Sequence, residues 1–369
     1  MKRRNLRLAA LPVAVMLALG MAACGGDDEG SGGTGSEPTT EVSGNLAGAG
    51  ASSQGAAMEA WIAGFATAAP DATVTYDPVG SGGGREQFTS GGVQFAGSDA
   101  YLKPEEITAA NATCGANGFL EMPVYISPIA VAYNLPGVSE LKLSASVIAQ
   151  IFNQKITKWN DPKIAELNQG AQLPDLNITA VHRSDESGTT DNFTDYLSQA
   201  AKADWPHEAD GAWPADVKGG EAAAQTQGVA AALKGGEGTI GYLDASQAGG
   251  LGVASVQVGT NFVKFSPEAA AAVVDAATKV ECRPEHSYAI DIPRDTTAEG
   301  VYPIVLVSYL LACAQYENQG QVDLVKAFLS YVVSEDGQKA AAENAGSAPI
   351  SADQRTQDQT AIDSISVKG

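Results

Sequence analysis

Three short turns in this 369-residue sequence carry the residue types that hold an anion. Ala49 to Ser53, Gly80 to Gly84 and Ser187 to Thr189 are rich in glycine, serine or threonine, and each runs into a helical pattern. The first N–H groups of a helix have no partner within it and sit at the positive end of its dipole, so they attract an anion without any net positive charge. Serine and threonine hydroxyls add donors that rotate to fit. One such turn is ordinarily just a helix cap. Three of them ask for a ligand. Their glycine spacing matches neither a dinucleotide fingerprint nor a Walker loop, so no nucleotide site is expected.

Other chemistries have less to stand on. Ser187 lies near Asp185 and His182, the ingredients of a hydrolytic nucleophile such as a secreted phosphatase would need, but no G-x-S-x-G turn surrounds it. His182, His207 and His286 are scattered and the cysteines show no C-x-x-C spacing, so no metal site and no cofactor are expected.

The turns sit in a chain whose strand-type and helix-type segments alternate without an internal repeat, which predicts α/β layers. Met58, Trp61, Ile62 and Phe65 fall at i, i+3, i+4 and i+7, one apolar helix face, with Ser52 and Ser53 at its N-terminal edge and Pro70 beyond it. Strand patterns follow around Val74 and Tyr76, over residues 128–135, and in ITAVHRS up to Arg183. The Gly80–Gly84 turn leads into a second helix and SASVIAQIFN reads as another. Phe193, Tyr196, Leu197 and Ala200 give a helix opened by Ser187, Gly188 and Thr189. PIVLVSYLLA (303–312) is apolar throughout and fits either type, whereas VDLVKAFLSYVV is helical.

Formal net charge is −21, which disfavours a nucleic-acid partner and means that any anion must be held by local, oriented donors against the long-range field. Residues 1–23 place Lys2, Arg3, Arg4 and Arg7 before the apolar run Leu11–Met21, too short to span a bilayer, and read as an export signal. Met21-Ala22-Ala23-Cys24 resembles the lipobox of bacterial lipoproteins, which predicts a lipid on Cys24. Residues 24–45 are then a Gly, Ser, Thr and acid-rich linker that cannot bury a core. No later segment approaches eighteen consecutive apolar residues, so the expected location is the outer face of a cytoplasmic membrane, held there by lipid alone. An exported compartment permits one disulfide among Cys114, Cys282 and Cys313, and the sequence leaves the three pairings open.

LAGAGASS, DPVGSGGGREQF, VQFAGSDA and AVHRSDESGTTDNFTDYL, followed by GTIGYLDA and YPIVLVSY, occur in this order. The chain resembles, over most of residues 46–365, the periplasmic phosphate-binding proteins of bacterial ABC importers. That resemblance implies phosphate-binding roles for Ser52, Ser53, Ser81, Asp99, Arg183, Ser187, Gly188 and Thr189, and it makes Asp185 the partner that partly neutralises Arg183. The family often has Thr and a bulky residue where Ser52 and Ser53 stand. The chemistry suits the roles. An arginine fork matches two oxygens of a tetrahedral anion. Asp99 would repel any anion that lacks a proton to donate, and monohydrogen phosphate has one at neutral pH where sulfate has none.

The resemblance further implies a type II periplasmic-binding-protein-like fold, α/β in class, with two lobes joined by a two-strand hinge and the ligand in the cleft. The matching stretches place one lobe at 46–124 plus 301–365 and the other at 125–300. The implied function is extracytoplasmic phosphate binding by a monomer and delivery to the membrane permease subunits of an ABC importer, with no catalysis. A binder of sulfate or molybdate is the alternative within the same class.

Overall fold

A computed structural model describes residues 41–369. The expected export signal, Cys24 and the expected linker up to residue 40 lie outside the described residues. Along the chain come β1 (Gly44–Gly50), α1 (Gly55–Ala68), β2 (Ala72–Asp77), α2 (Ser81–Thr89), β3 (Phe95–Ser98), α3 (Pro104–Cys114) and the long β4 (Phe119–Asn134). Then follow β5 (Leu141–Leu143), α4 (Ala145–Phe152), α5 (Pro162–Leu167), β6 (Thr179–Arg183), α6 (Gly188–Ala200), β7 (Glu221–Ala223), α7 (Gln225–Gly235) and β8 (Thr239–Asp244). The last third adds β9 (Gly252–Val258), β10 (Asn261–Val263), α8 (Pro267–Val274), β11 (Thr278–Lys279), β12 (Ile290–Asp291), β13 (Val305–Cys313) and α9 (Gln319–Val333).

One mixed sheet runs in the order β2-β1-β3-β13-β4-β8-β6-β7. Its two ends are parallel groups, β2-β1-β3 and β8-β6-β7, which need helical crossovers and so carry helices on their faces. Between them β13 and β4 are antiparallel. β4 changes partner within its length: Phe119 to Pro128 pair with β13, and Ile129 to Asn134 pair with β8. All but the last of its residues are buried, because each half is covered on both faces. That settles the apolar run 303–312 as strand from Val305 onward, and it extends the expected 128–135 strand back to Phe119.

α1 begins at Gly55 with Gln54 as its cap, so Ser52 and Ser53 stand in the turn just before it. Its apolar face buries Met58, Trp61 and Phe65, with Phe65 edge-on to Phe328 of α9. Burying a side chain of that size contributes about 2–3 kcal/mol each. Cys114 at the end of α3 and Cys313 at the end of β13 form the disulfide, which leaves Cys282 as an exposed thiol. Residues 286–290 lie against the β4 and β13 region: Glu121 N–H donates to His286 O at 2.9 Å, and Ile290 N–H donates to Tyr309 OH at 3.1 Å. No helix among the described residues is long and apolar enough to cross a membrane.

Candidate functional site

Parallel strands leave their binding residues at their carboxyl ends, where the chain turns into a helix. Here β1 ends at Gly50, β3 at Ser98 and β6 at Arg183, and the turns that follow bring Ser52, Ser53, Asp99 and Ser187 together with the first residues of α2 and α6. Ser52, Ser53, Ser81, Asp99, Arg183, Ser187 and Thr189 are each at most 3% exposed. Seven polar residues buried at one point need partners or a ligand.

Asp99 is the centre. Its Oδ2 accepts from Ser53 Oγ at 2.6 Å and from Thr189 Oγ1 at 3.1 Å, and its Oδ1 accepts from Ser308 Oγ. Its N–H donates to Ser81 Oγ at 3.1 Å and its carbonyl accepts from Asn192 Nδ2 at 2.7 Å. Burial pushes the Asp99 carboxyl above the usual carboxylate range, while the Ser308, Ser53 and Thr189 hydroxyls and the Arg183 charge pull it part of the way back. α6 comes this close because residue 188 is glycine. A Cβ there would stand 2.5 Å from Asp99 Cβ and 2.8 Å from Ser81 Oγ.

Ser187 caps α6, its Oγ accepting from Thr190 N–H at 3.3 Å. The main-chain N–H groups of Ser52, Ser53, Gly188 and Thr189 find no acceptor among the described residues, as expected of turns that open helices. Arg183 spends one edge of its guanidinium on Asp185, Nε donating to Oδ1 at 2.8 Å and Nη2 to Oδ2. The opposite edge, Nη1 with the second hydrogen of Nη2, finds no acceptor among the described residues. Burial alone would raise Asp185, but the hydrogen bonds and charge of Arg183 outweigh it and hold the carboxyl below its ordinary value. Asp185 Oδ1 also accepts the N–H of Gln225, the first residue of α7, at 3.0 Å. Gly80, at φ +97°, fits against this pair, since a Cβ would lie 2.6 Å from Asp185 Oδ2.

The structure thus brings together every residue expected at the site, and it gives the Ser52 hydroxyl a partner that the sequence did not suggest. Ser52 directs its hydroxyl to Thr226, lying 3.0 Å from Oγ1 and accepting the N–H at 3.0 Å. Sequence reasoning missed Thr226, Asn192 and Ser308. Ser308 carried a readable signal, because it is the one aliphatic hydroxyl in the apolar run IVLVSYLLA, and a buried hydroxyl must find a partner. Thr226 carried none, since its role depends on a contact across 174 positions of sequence.

Beside Asp99 opens a cavity of about 560 Å³ lined by Tyr101, Lys103, Asp191, Arg294 and Tyr309, among others. Burial, and then Asp195, raise the Asp191 carboxyl to about 6 against the pull of Arg85, Arg294 and Lys103. Among the described residues no group of three or more His, Cys, Asp or Glu side chains could hold a metal ion.

Two groups of parallel strands, a pair of strands between them in the sheet, and a buried anion-type donor set at their carboxyl ends define a solute-binding protein. A family profile described as the PBP superfamily domain matches residues 35–336, and the fold is the type II periplasmic-binding-protein fold. A phosphate binding protein of Stenotrophomonas maltophilia, 20% identical, covers 86% of this chain and 94% of its own with a TM-score of 0.68. Phosphate-binding protein PstS 3 of Mycobacterium tuberculosis is 35% identical over 373 residues, 97% of this chain and 98% of that protein. Its counterpart in Mycobacterium leprae is 35% identical over 338 residues, 90% of this chain and 88% of that protein. The chain belongs to the PstS phosphate-binding protein family of the PBP superfamily.

Proposed function

We propose that this chain binds inorganic phosphate at Asp99, outside the cytoplasmic membrane, and hands it to the permease of an ABC importer. One observation carries the reading: a carboxylate, Asp99, is buried among donors that otherwise suit an anion. Only a tetrahedral oxyanion that still bears a proton turns that carboxylate from a repulsion into an acceptor. Ser53 and Thr189, which now donate to Oδ2, rotate their hydroxyls onto the phosphate, and Oδ2 takes the ligand's proton instead. The amides of Ser52, Ser53, Gly188 and Thr189 and the free edge of Arg183 hold the remaining oxygens, with Ser81 and Ser187 completing the cradle.

The lobes at 46–124 plus 301–365 and at 125–300 close on the ligand about β4 and the segment leading into β13, where the chain passes between them. Contacts such as Arg85 Nη2 to Glu186 Oε1 at 2.7 Å and Gly82 N–H to Glu186 O at 3.2 Å support a closed form bridging both lobes. A lipid on Cys24 keeps the monomer near its permease, and the chain performs no hydrolysis. His182 supports that last point, for its Nδ1 is 2.9 Å from Arg183 O and its ring stacks on Trp213, in place of a partnership with Ser187.

Calorimetry of the mature chain against phosphate and sulfate at pH 7.5 tests the reading. Tight phosphate binding with sulfate at least a hundredfold weaker is expected, and equal affinities overturn it.

A further inference from the structure

Asp99 has two oxygens, and discrimination between protonated and unprotonated anions requires that one of them be fixed while the other faces the ligand. Oδ2 faces Ser53 and Thr189, whose hydroxyls are free to turn to another acceptor. Among the described residues Oδ1 is bound by Ser308 alone, and Ser308 comes from neither helix-opening turn but from β13, which pairs with β4 between the two strand groups.

The backbone is built to aim that hydroxyl. β13 pairs with β4 in regular antiparallel register except at one place, a shift between Ser308 and Tyr309. The extra residue is Val124 on β4, which leaves Ser308 opposite Tyr125 and Tyr309 opposite Pro123, and bulges of this kind are common beside functional sites. On its other edge β13 pairs with β3, Tyr309 opposite Ser98, which puts Ser308 next to Asp99. Ser308 is completely buried in a strand otherwise made of Val, Leu, Tyr and Ala up to its terminal cysteine. A hydroxyl is an expensive choice there on packing grounds alone.

We propose that Ser308 is a specificity-positioning residue: it holds Oδ1 of Asp99 so that the carboxylate stays ionised with Oδ2 as the sole acceptor presented to the ligand's proton. The proposal rests on phosphate occupying the Asp99 site. Without the Ser308 donor the buried carboxyl takes up a proton more readily, and a protonated Asp99 can donate to sulfate. Loss of Ser308 therefore admits sulfate, increasingly as the pH falls. The charged and titratable groups around Asp99 are Arg183 on β6, Asp244 at the end of β8, Tyr76 on β2 and Tyr125 on β4. All four are unchanged in the test.

The experiment measures phosphate and sulfate affinities of the full mature chain by calorimetry from pH 5 to pH 8.5, for the wild type, Ser308→Ala, Ser308→Cys and Ser308→Thr. Ser308→Ala and the nearly isosteric Ser308→Cys, a weak donor, lower the phosphate-to-sulfate affinity ratio about tenfold. The pH at which the ratio collapses moves up in both, because the ionised carboxylate has lost a donor, and Ser308→Thr restores the wild-type profile. A ratio and pH profile unchanged in Ser308→Cys overturn the proposal even if Ser308→Ala is poorly folded. A wild type that does not bind phosphate instead overturns the assignment of the site.

Discussion

Ser52 caps a helix it does not belong to. Its Oγ accepts the N–H of Thr226 at 3.0 Å, at the second residue of α7, whose own cap position is Ala224, a residue without a side-chain acceptor. An uncapped helix end costs about 1 kcal/mol. Because Ser52 and Thr226 come from the two separate strand groups, that bond forms only when the groups are together. Ser52→Ala is therefore expected to weaken phosphate binding about fivefold if the proposed closure brings the groups together, and Thr226→Ala by less, since its N–H survives. A double-mutant cycle by calorimetry checks the link: losses that simply add would separate the two residues.

Asp99→Asn exchanges an acceptor for a side chain that can also donate. An amide can give a hydrogen to a fully deprotonated oxygen, so sulfate gains where phosphate loses. The phosphate-to-sulfate ratio should drop by two orders of magnitude or more, on the order of 3 kcal/mol for a buried acceptor facing an unprotonated oxygen. Competition titration reads it directly, and undiminished discrimination removes Asp99 from the proton-acceptor role.

Much of the site could be read in the sequence because its parts are local. Ser187, Gly188 and Thr189 announce themselves as a cap ahead of Phe193, Tyr196 and Leu197, and Arg183 closes a strand pattern four residues earlier; the structure places all of them at one buried point. The α/β class followed likewise from alternating periods. Pairings between distant segments left no such trace. The change of partner within β4 at Pro128 and Ile129, the disulfide from Cys114 to Cys313, and the hold of Ser308 on Asp99 depend on which strands become neighbours. A one-dimensional pattern gives the face of a strand, not its neighbour. Arg183 shows an intermediate case: its type and place were legible, but not that Asp185 would occupy one whole edge of its fork.

The Cys114–Cys313 disulfide joins positions 199 apart. Cross-links closing long loops stabilise small exported domains by about 2–5 kcal/mol, chiefly through the unfolded chain. Its ends lie at the C-terminus of α3 and the far end of β13, five residues beyond Ser308, so the binding site is untouched. Replacing both cysteines with alanine should lower the thermal midpoint by several degrees while leaving phosphate affinity within a factor of two. A matching loss of affinity would show that the cross-link shapes the site.

A second carboxylate near Asp99 makes stability depend on pH in a defined direction. Asp244, at the end of β8, is completely buried, accepts the Ser246 N–H at 3.0 Å and receives the Tyr125 hydroxyl at 3.2–3.3 Å. Burial raises its carboxyl to about 6, the Ser246 contacts oppose the rise, and Asp99 adds to it. In the unfolded chain an aspartate titrates near 3.9. Between those values the folded state binds the proton that the unfolded state has lost, so stability falls as pH rises from about 4 to about 6 and the penalty, of order 2–3 kcal/mol, persists above. Asp244→Asn removes the charge and keeps an acceptor for Ser246. Thermal unfolding in phosphate-free buffer should then place the variant's midpoint, relative to wild type, several degrees higher at pH 7.5 than at pH 4.5. A midpoint difference that is the same at both values means that Asp244 does not titrate in this window, and the pH sensitivity must then be sought at Asp191 or Asp99.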